Sequence, residues 1–285
     1  MYMHHLKILT GFVSFAALSS AAFAIIVTVD NSATNLGNAI LGSGVTLNSA
    51  TWISQAAGST GTFTGGGALG IDSGIVLTSG SAAIAGQGQT SGSATQNNGL
   101  GGYAPLDALI PGFSTLDATV LKLNFTTTGG DLFFNYVFGS EEYLEFVGSS
   151  FNDVFGFFLN GTALTNNLAL IPSTTTPVSI NNVNLGSNSA YFRNNSSGQL
   201  SGGLQYDGFT TVLTASALGI GAGTHDIYLA IADAGDRVLD SGVYIQGNSF
   251  STTVTPPSAV PDSGSTLAMF GAVFAGLCAL RRKVR

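Results

Sequence analysis

Glu141, Glu142, Glu145 and Asp153 place four carboxylates within thirteen residues, in a chain where charged residues make up only 8%. Aromatic-rich runs flank them, FNYVF (134–138) before and FGFFL (155–159) after. A second acidic segment, Asp233-Ala-Gly-Asp236-Arg-Val-Leu-Asp240, spaces three aspartates by three and four around a glycine. Clusters of oxygen donors suit a hard cation, since calcium takes six to eight oxygens at about 2.3–2.6 Å. Gly235 permits the tight turn that folds such a loop's carboxylates inward. Neither segment matches the EF-hand loop. The candidate calcium ligands are Glu142, Asp153, Asp233, Asp236 and Asp240. Against this stands a plainer reading: Asp233 and Asp240 cap turns by accepting backbone N–H groups, and Arg237 pairs with a glutamate.

Other chemistries fit less well. Neighbouring glutamates in an extended strand point to opposite faces, so Glu141 and Glu142 do not make a glycosidase pair flanking one bond. A hydrolase would need carboxylates from distant segments. His225 is the only histidine of the body; it opens a strand, and no G-x-S-x-G elbow accompanies it. A solvent-facing or turn-bonded His225 is expected. Gly65–Gly70 fits G-x-G-x-x-G formally, but a turn and strand follow it where a nucleotide loop opens a helix. Sugar binding would draw on Trp52, Tyr103, Tyr143, Tyr191 and Tyr206 as platforms, with the many asparagines as polar partners; the competing reading places most of these rings in the core.

The elements that position these groups follow from composition and pattern. Thirty-nine glycines, nineteen phenylalanines and eight tyrosines fit a secreted, turn-rich β protein and not a disordered chain, which lacks aromatics. Between Ile25 and Asp262 three cations face fifteen acids, a balance of −12. That excludes nucleic-acid binding, which needs clustered Lys and Arg, and it suggests bound cations or a solvated acidic surface. The single cysteine, Cys278, lies in the C-terminal apolar run, so the body has neither disulfide nor thiolate metal site.

Strands are expected at Ile25–Val29, Val45–Ile53, Ile71–Leu77, Val120–Phe125, Asp131–Phe138, Phe151–Leu159, Val178–Leu185, Ala190–Arg193, Phe209–Thr214, Thr224–Ala232 and Gly242–Phe250. Helical turns are expected at Asn35–Leu41 and Leu106–Ile110. Residues 60–70 read as a Gly/Thr-rich connection, and residues 79–102 as a long loop, mobile or folded on a ligand. The 131–138 and 151–159 strands carry apolar residues on both faces, as in the middle of a sandwich. The fold class is all-β: a single-domain β-sandwich, jelly-roll or lectin-like, over residues 25–250.

The ends read as targeting segments. Residues 1–24 form a signal peptide: a weakly basic start, an apolar run and an Ala-Phe-Ala site with cleavage after Ala24. Residues 251–259 are a linker. Residues 260–285 run from Val260-Pro261-Asp262-Ser263-Gly264 through an apolar anchor helix to Arg281, Arg282, Lys283 and Arg285. The sixteen apolar residues from Ser265 span about 24 Å against a hydrocarbon core of about 30 Å, which snorkelling basic residues help to bridge. The basic end stays cytoplasmic and leaves the body outside the inner membrane.

This tripartite tail resembles the VPDSG-type PEP-CTERM sorting signals of bacteria. The resemblance implies an exosortase-type processing enzyme as partner, cleavage near the motif, and export in bacteria that make exopolysaccharide. The body, from about Ala33 to Phe250, resembles the choice-of-anchor L domain of bacterial surface proteins. The blocks that carry the likeness are GIDSGIVLTSG (70–80), YVFGSEEYLEFVGSSFNDVFGFFLNG (136–161), INNVN (180–184), DGFT (207–210) and IADAGDRVLDSGV (231–243). Leu144 departs from a proline expected there. The resemblance implies an extracellular β domain and no catalytic residues. The expected protein is exported, anchored in the membrane during sorting and then held at the cell surface or in the biofilm matrix. Its expected role is structural or adhesive, with exopolysaccharide binding and hydrolysis as alternatives.

Overall fold

The computed structural model describes residues 24–89, 92–200 and 203–257. In chain order these form β1 (Ile26–Val29), α1 (Ala33–Ile40), β2 (Val45–Ser54), β3 (Thr60–Thr64), β4 (Ser73–Thr78), α2 (Ala82–Ala85), α3 (Ala104–Asp107), β5 (Thr115–Thr127), β6 (Leu132–Ser140), β7 (Val154–Leu159), β8 (Phe192–Asn194), β9 (Gly208–Thr210), β10 (Leu213–Ala217), β11 (Gly223–Ala234) and β12 (Ser241–Gln246). The expected signal peptide, apart from Ala24, and the sorting tail from Val260 lie outside the described residues. Among the described residues no helix is long and apolar enough to cross a membrane.

The strands make two sheets. The larger runs β1-β3-β4-β12-β6-β9-β8, with β10 also on β6; the smaller runs β2-β5-β11-β7. β12 takes one edge of β6, from Tyr136 to Ser140. β10 and β9 share the other edge. All these pairings are antiparallel.

Strand alternation explains how the sheets close on one another. Phe134, Tyr136 and Phe138 of β6 point inward and meet Phe155 and Phe157 of β7. The ring centroids lie 5.0 Å apart for Phe134–Phe157, 5.3 Å for Tyr136–Phe155 and 4.9 Å for Phe138–Phe155. Leu121, Leu123 and Phe125 of β5, and Ile227, Leu229 and Ile231 of β11, complete this interior. Val137 faces the other way, into a second cluster with Phe63, Tyr206, Phe209 and Tyr244. A third cluster covers part of the outer face of the smaller sheet, where Leu106, Leu109 and Ile110 lie over Val120, Phe158 and Ala230.

Most expected elements are present, with differences: α2 (Ala82–Ala85) interrupts the expected loop at 79–102, the last strand ends at Gln246 and not at Phe250, and four others concern the sheets. β7 has both faces covered as expected, yet it is an edge strand. The 160–191 segment screens that edge through bridges Val154–Ser179 and Phe158–Asn167. Residues 178–185 are turns and not a strand. Their asparagines bond nearby backbone, Asn182 Nδ2 to Pro177 O at 2.9 Å and Asn184 Nδ2 to Ile180 O at 3.0 Å, and such local bonds compete with a ladder. Residues 60–64 are a strand, because β1 and β4 flank them on both sides. The expected strand at 209–214 breaks at residues 211–212 into β9 and β10, which pair with separate stretches of β6.

Candidate functional site

The acidic residues collect where both sheets end. β6 stops at Ser140 and β12 starts at Ser241, its direct partner. Glu141 therefore follows one strand and Asp240 precedes the other, and the Glu141 N–H donates to the Asp240 carbonyl at 3.1 Å. In the smaller sheet Ala232 pairs with Val154, so Asp233 and Asp153 come next on adjacent strands. The sheets are tied here. The Ser241 hydroxyl of the larger sheet donates to Asp153 Oδ2 at 2.6 Å, and within the smaller sheet the Ala234 N–H donates to Asp153 Oδ1 at 2.8 Å. The two acidic segments of the sequence thus converge.

These carboxylates are interior groups. Asp233 and Asp240 are 0% exposed, and Glu141, Glu142 and Asp153 1%. Glu141 and Glu142 occupy the turn after β6 and not the strand, so strand alternation does not separate them and both are buried. Glu145 is exposed and Asp236 half-buried. Asp236 Oδ1 accepts the Val238 N–H within its own turn, at 3.0 Å.

The segment 92–101 supplies donors. Both oxygens of Asp240 lie 3.0 Å from the Gln96 N–H. Asp240 packs on Gly80 so closely that a Cβ there would fall 1.7 Å from Oδ2; only glycine fits. Asp117 accepts the Asn98 N–H at 2.9 Å and the Leu100 N–H, and pairs with Arg237 Nε at 3.3 Å. Asn98 Nδ2 donates to the Ser79 and Gly80 carbonyls at 3.0 and 2.8 Å. Of the expected long loop at 79–102, residues 82–85 are helical and residues 96–100 are folded onto carboxylates.

The turn-cap reading is half met at Asp240, which accepts a backbone N–H, but from Gln96 on a distant segment and not from its own turn. It fails for Asp233, neither of whose oxygens has a hydrogen-bond partner. It fails for Arg237 too, which pairs with an aspartate and donates to the Leu100 carbonyl.

Burial sets the protonation of the cluster, because the interior disfavours charge. It pushes Glu141 up to about 8, eased by the Gln205 amide that donates to Oε1 at 2.7 Å. Glu142 rises to about 9 through burial and then the nearby Asp153 and Asp236 charges. Asp240 rises to about 7, with the Gln96 and Ser81 N–H groups opposing burial. Asp153 and Asp233 are both raised, again first by burial. The Ser79 hydroxyl moderates Asp233 without completing a hydrogen bond to it.

Of the five candidate ligands, Glu142, Asp153, Asp233 and Asp240 are buried at this end and Asp236 rims it. Among the described residues no three His, Cys, Asp or Glu side chains stand close enough to chelate an ion by themselves. The sequence reading missed Asp117, Ser79 and Ser241. An aspartate inside the apolar run of residues 116–121 was the available signal for the first. The candidate sugar platforms are mostly interior: Tyr143 and Tyr206 are fully buried, and Trp52, Tyr103 and Tyr191 are half-buried. His225 is turn-bonded, with Nδ1 3.0 Å from Asn160 Nδ2.

A family model described as the Choice-of-anchor L domain matches residues 25–251. A second, described as the VPDSG-CTERM motif, matches residues 259–284. No curated protein and no solved structure matches the chain.

Proposed function

The chain belongs to the choice-of-anchor L family, and from that premise we propose that it is a non-enzymatic bacterial surface protein with a structural or adhesive role in the exopolysaccharide matrix. The observation that carries this reading is the pairing, in one chain, of that domain with a VPDSG-CTERM motif. The domain and motif make it an exported, surface-directed protein handled by an exosortase-type enzyme. Anchoring by the apolar tail comes first and release follows, with Arg281 and Arg282 on the cytoplasmic side. The body suits a structural part, with a large aromatic interior between two sheets and most of its clustered acids buried.

An exopolysaccharide-binding role is the second reading, and one surface favours it. On the open part of the smaller sheet, Lys122 sits 5.3 Å above the Tyr228 ring and bonds Asp226, while Asn48 bonds Asn124. Such a grouping of amides, charges and a ring offers the polar and stacking contacts that sugars take.

The test is made in the source bacterium with the full chain and with Pro261→Ala/Asp262→Ala. The wild type is expected in the surface or matrix fraction, with a C-terminus shortened near the motif by mass spectrometry. The variant is expected to remain in the inner membrane uncut. Equal surface delivery of both would overturn the sorting reading. An unchanged matrix in a strain lacking the protein would overturn the structural role.

A further inference from the structure

The acidic end of the sandwich gathers more carboxyl groups than the nearby cations can pair. The described residues hold three cations, and each is engaged elsewhere. Lys122 pairs with Asp226 on the outer sheet face at 3.2 Å. Arg193 donates to the Ala68 and Leu69 carbonyls at 2.6 and 3.4 Å. Arg237 lies nearest the cluster, but its guanidinium goes to Asp117 and the Leu100 carbonyl. Asp240 is served by the Gln96 N–H and Glu141 by Gln205. Glu142, whose Oε2 also lacks a hydrogen-bond partner, sits in the turn after β6. Asp153, the residue before β7, and Asp233 of β11 are next to one another at the end of the smaller sheet.

Their surroundings differ in an informative way. Asp153 accepts two donors, Ser241 Oγ and the Ala234 N–H, and such bonds favour the charged form. Asp233 is fully buried with both oxygens unpartnered. An isolated interior carboxylate costs several kcal/mol unless it is paired or neutralised. Two hydroxyls complete the surroundings. Ser241 Oγ is on Asp153, and Ser79 Oγ accepts the Ser241 N–H at 2.9 Å while lying beside Asp233. Asp153, Ser241, Ser79 and Asp233 are therefore linked in sequence at this end of the sandwich, two from each sheet.

We propose that Asp153 and Asp233 hold a divalent cation of the calcium class at this point, with the Ser79 and Ser241 hydroxyls beside it. Two carboxylates and one divalent ion are neutral together. The donor set is all oxygen, without the imidazole or thiolate that would select a transition metal. Hard cations complete six to eight ligands with hydroxyl, carbonyl and water oxygens, so two carboxylates suffice where no third converges. On this assignment two of the five candidate ligands bind directly and three, Glu142, Asp236 and Asp240, surround them. The ion would clamp the smaller sheet to the larger beneath the 92–101 segment. This assignment stands apart from the sorting reading, since a wrongly sorted chain would still bind the ion.

The experiment uses the full-length chain purified in mild detergent. Elemental analysis of the untreated protein is expected to find about one calcium per chain. After EDTA treatment, saturating calcium should raise Tm by about 5 °C or more. Asp233→Asn and Asp153→Asn should each abolish that rise, and Asp236→Asn should keep it. Absence of calcium from the untreated protein together with a calcium-independent Tm would overturn the proposal. A calcium shift that survives Asp233→Asn would overturn the assignment. Should the variants fail to fold, the wild-type metal content and Tm series decide alone.

Discussion

Glu141 keeps its proton at a pH where an exposed glutamate has lost it. Its carboxyl is pushed up to about 8 by burial, against an ordinary value of 4.5. The folded state thus binds more protons than the unfolded state between those two values, and stability falls as pH rises across that window. The neighbouring Glu142, at about 9, acts in the same direction. Glu141→Gln removes one such group and keeps an oxygen to accept from Gln205. Urea midpoints in EDTA should then match wild type near pH 4 and exceed it near pH 8, giving the variant a shallower decline. A decline equal to that of wild type would mean that Glu141 is ionised in the fold. The residue types of this site were legible in the sequence, because carboxylates stand out in a chain so poor in charge. Their burial was not legible: the turn after Ser140 places Glu141 and Glu142 inside together, whereas strand alternation would have split them.

At the scale of elements, the 92–101 segment behaves as a cover fastened by its own backbone. Asp117 of β5 receives the Asn98 and Leu100 N–H groups and Arg237, and Asp240 receives Gln96. Asp117→Asn keeps the side-chain shape and suits the left-handed backbone at φ 48°, which asparagine tolerates. It exchanges one acceptor oxygen for a donor that faces other donors, and it removes the ion pair. Hydrogen exchange of amides 98–100 should accelerate about tenfold or more, for a local loss of about 1–3 kcal/mol. Amides of β6 and β12 should keep their protection. Unchanged exchange at 98–100 would show that the segment is held by other contacts. Composition revealed a long polar loop folded or mobile, but not its acceptors, which lie on strands distant in sequence. Strands with strong alternation, β6 and β11 above all, were readable because their apolar residues repeat every second position. The 178–185 stretch misled because its apolar residues suit a strand while its asparagines bond back to their own turn.

Across the whole molecule, the two sheets have one interior between them and no described cysteine to fasten it. The core must therefore transmit stability from sheet to sheet, and the aromatic rings are the means. Phe157 sits against both Phe134 and Tyr136, each at 5.0 Å between centroids, and these rings belong to opposite sheets. Phe157→Ala would leave a cavity that such packing cannot close easily, at a cost of about 3–5 kcal/mol. For a domain of this size that lowers Tm by about 10 °C. The shared interior also dictates the form of the transition. Near-UV signals from the rings and far-UV signals from the strands should be lost together in wild type and in Phe157→Ala, as expected for one cooperative unit. Separate transitions would mean that the cluster around Tyr206, Phe209 and Tyr244 sustains the larger sheet alone. The acidic end would then be a main clasp between the sheets, and the far-UV transition should follow Ser241→Ala, which breaks the bond to Asp153, more closely than it follows Phe157→Ala.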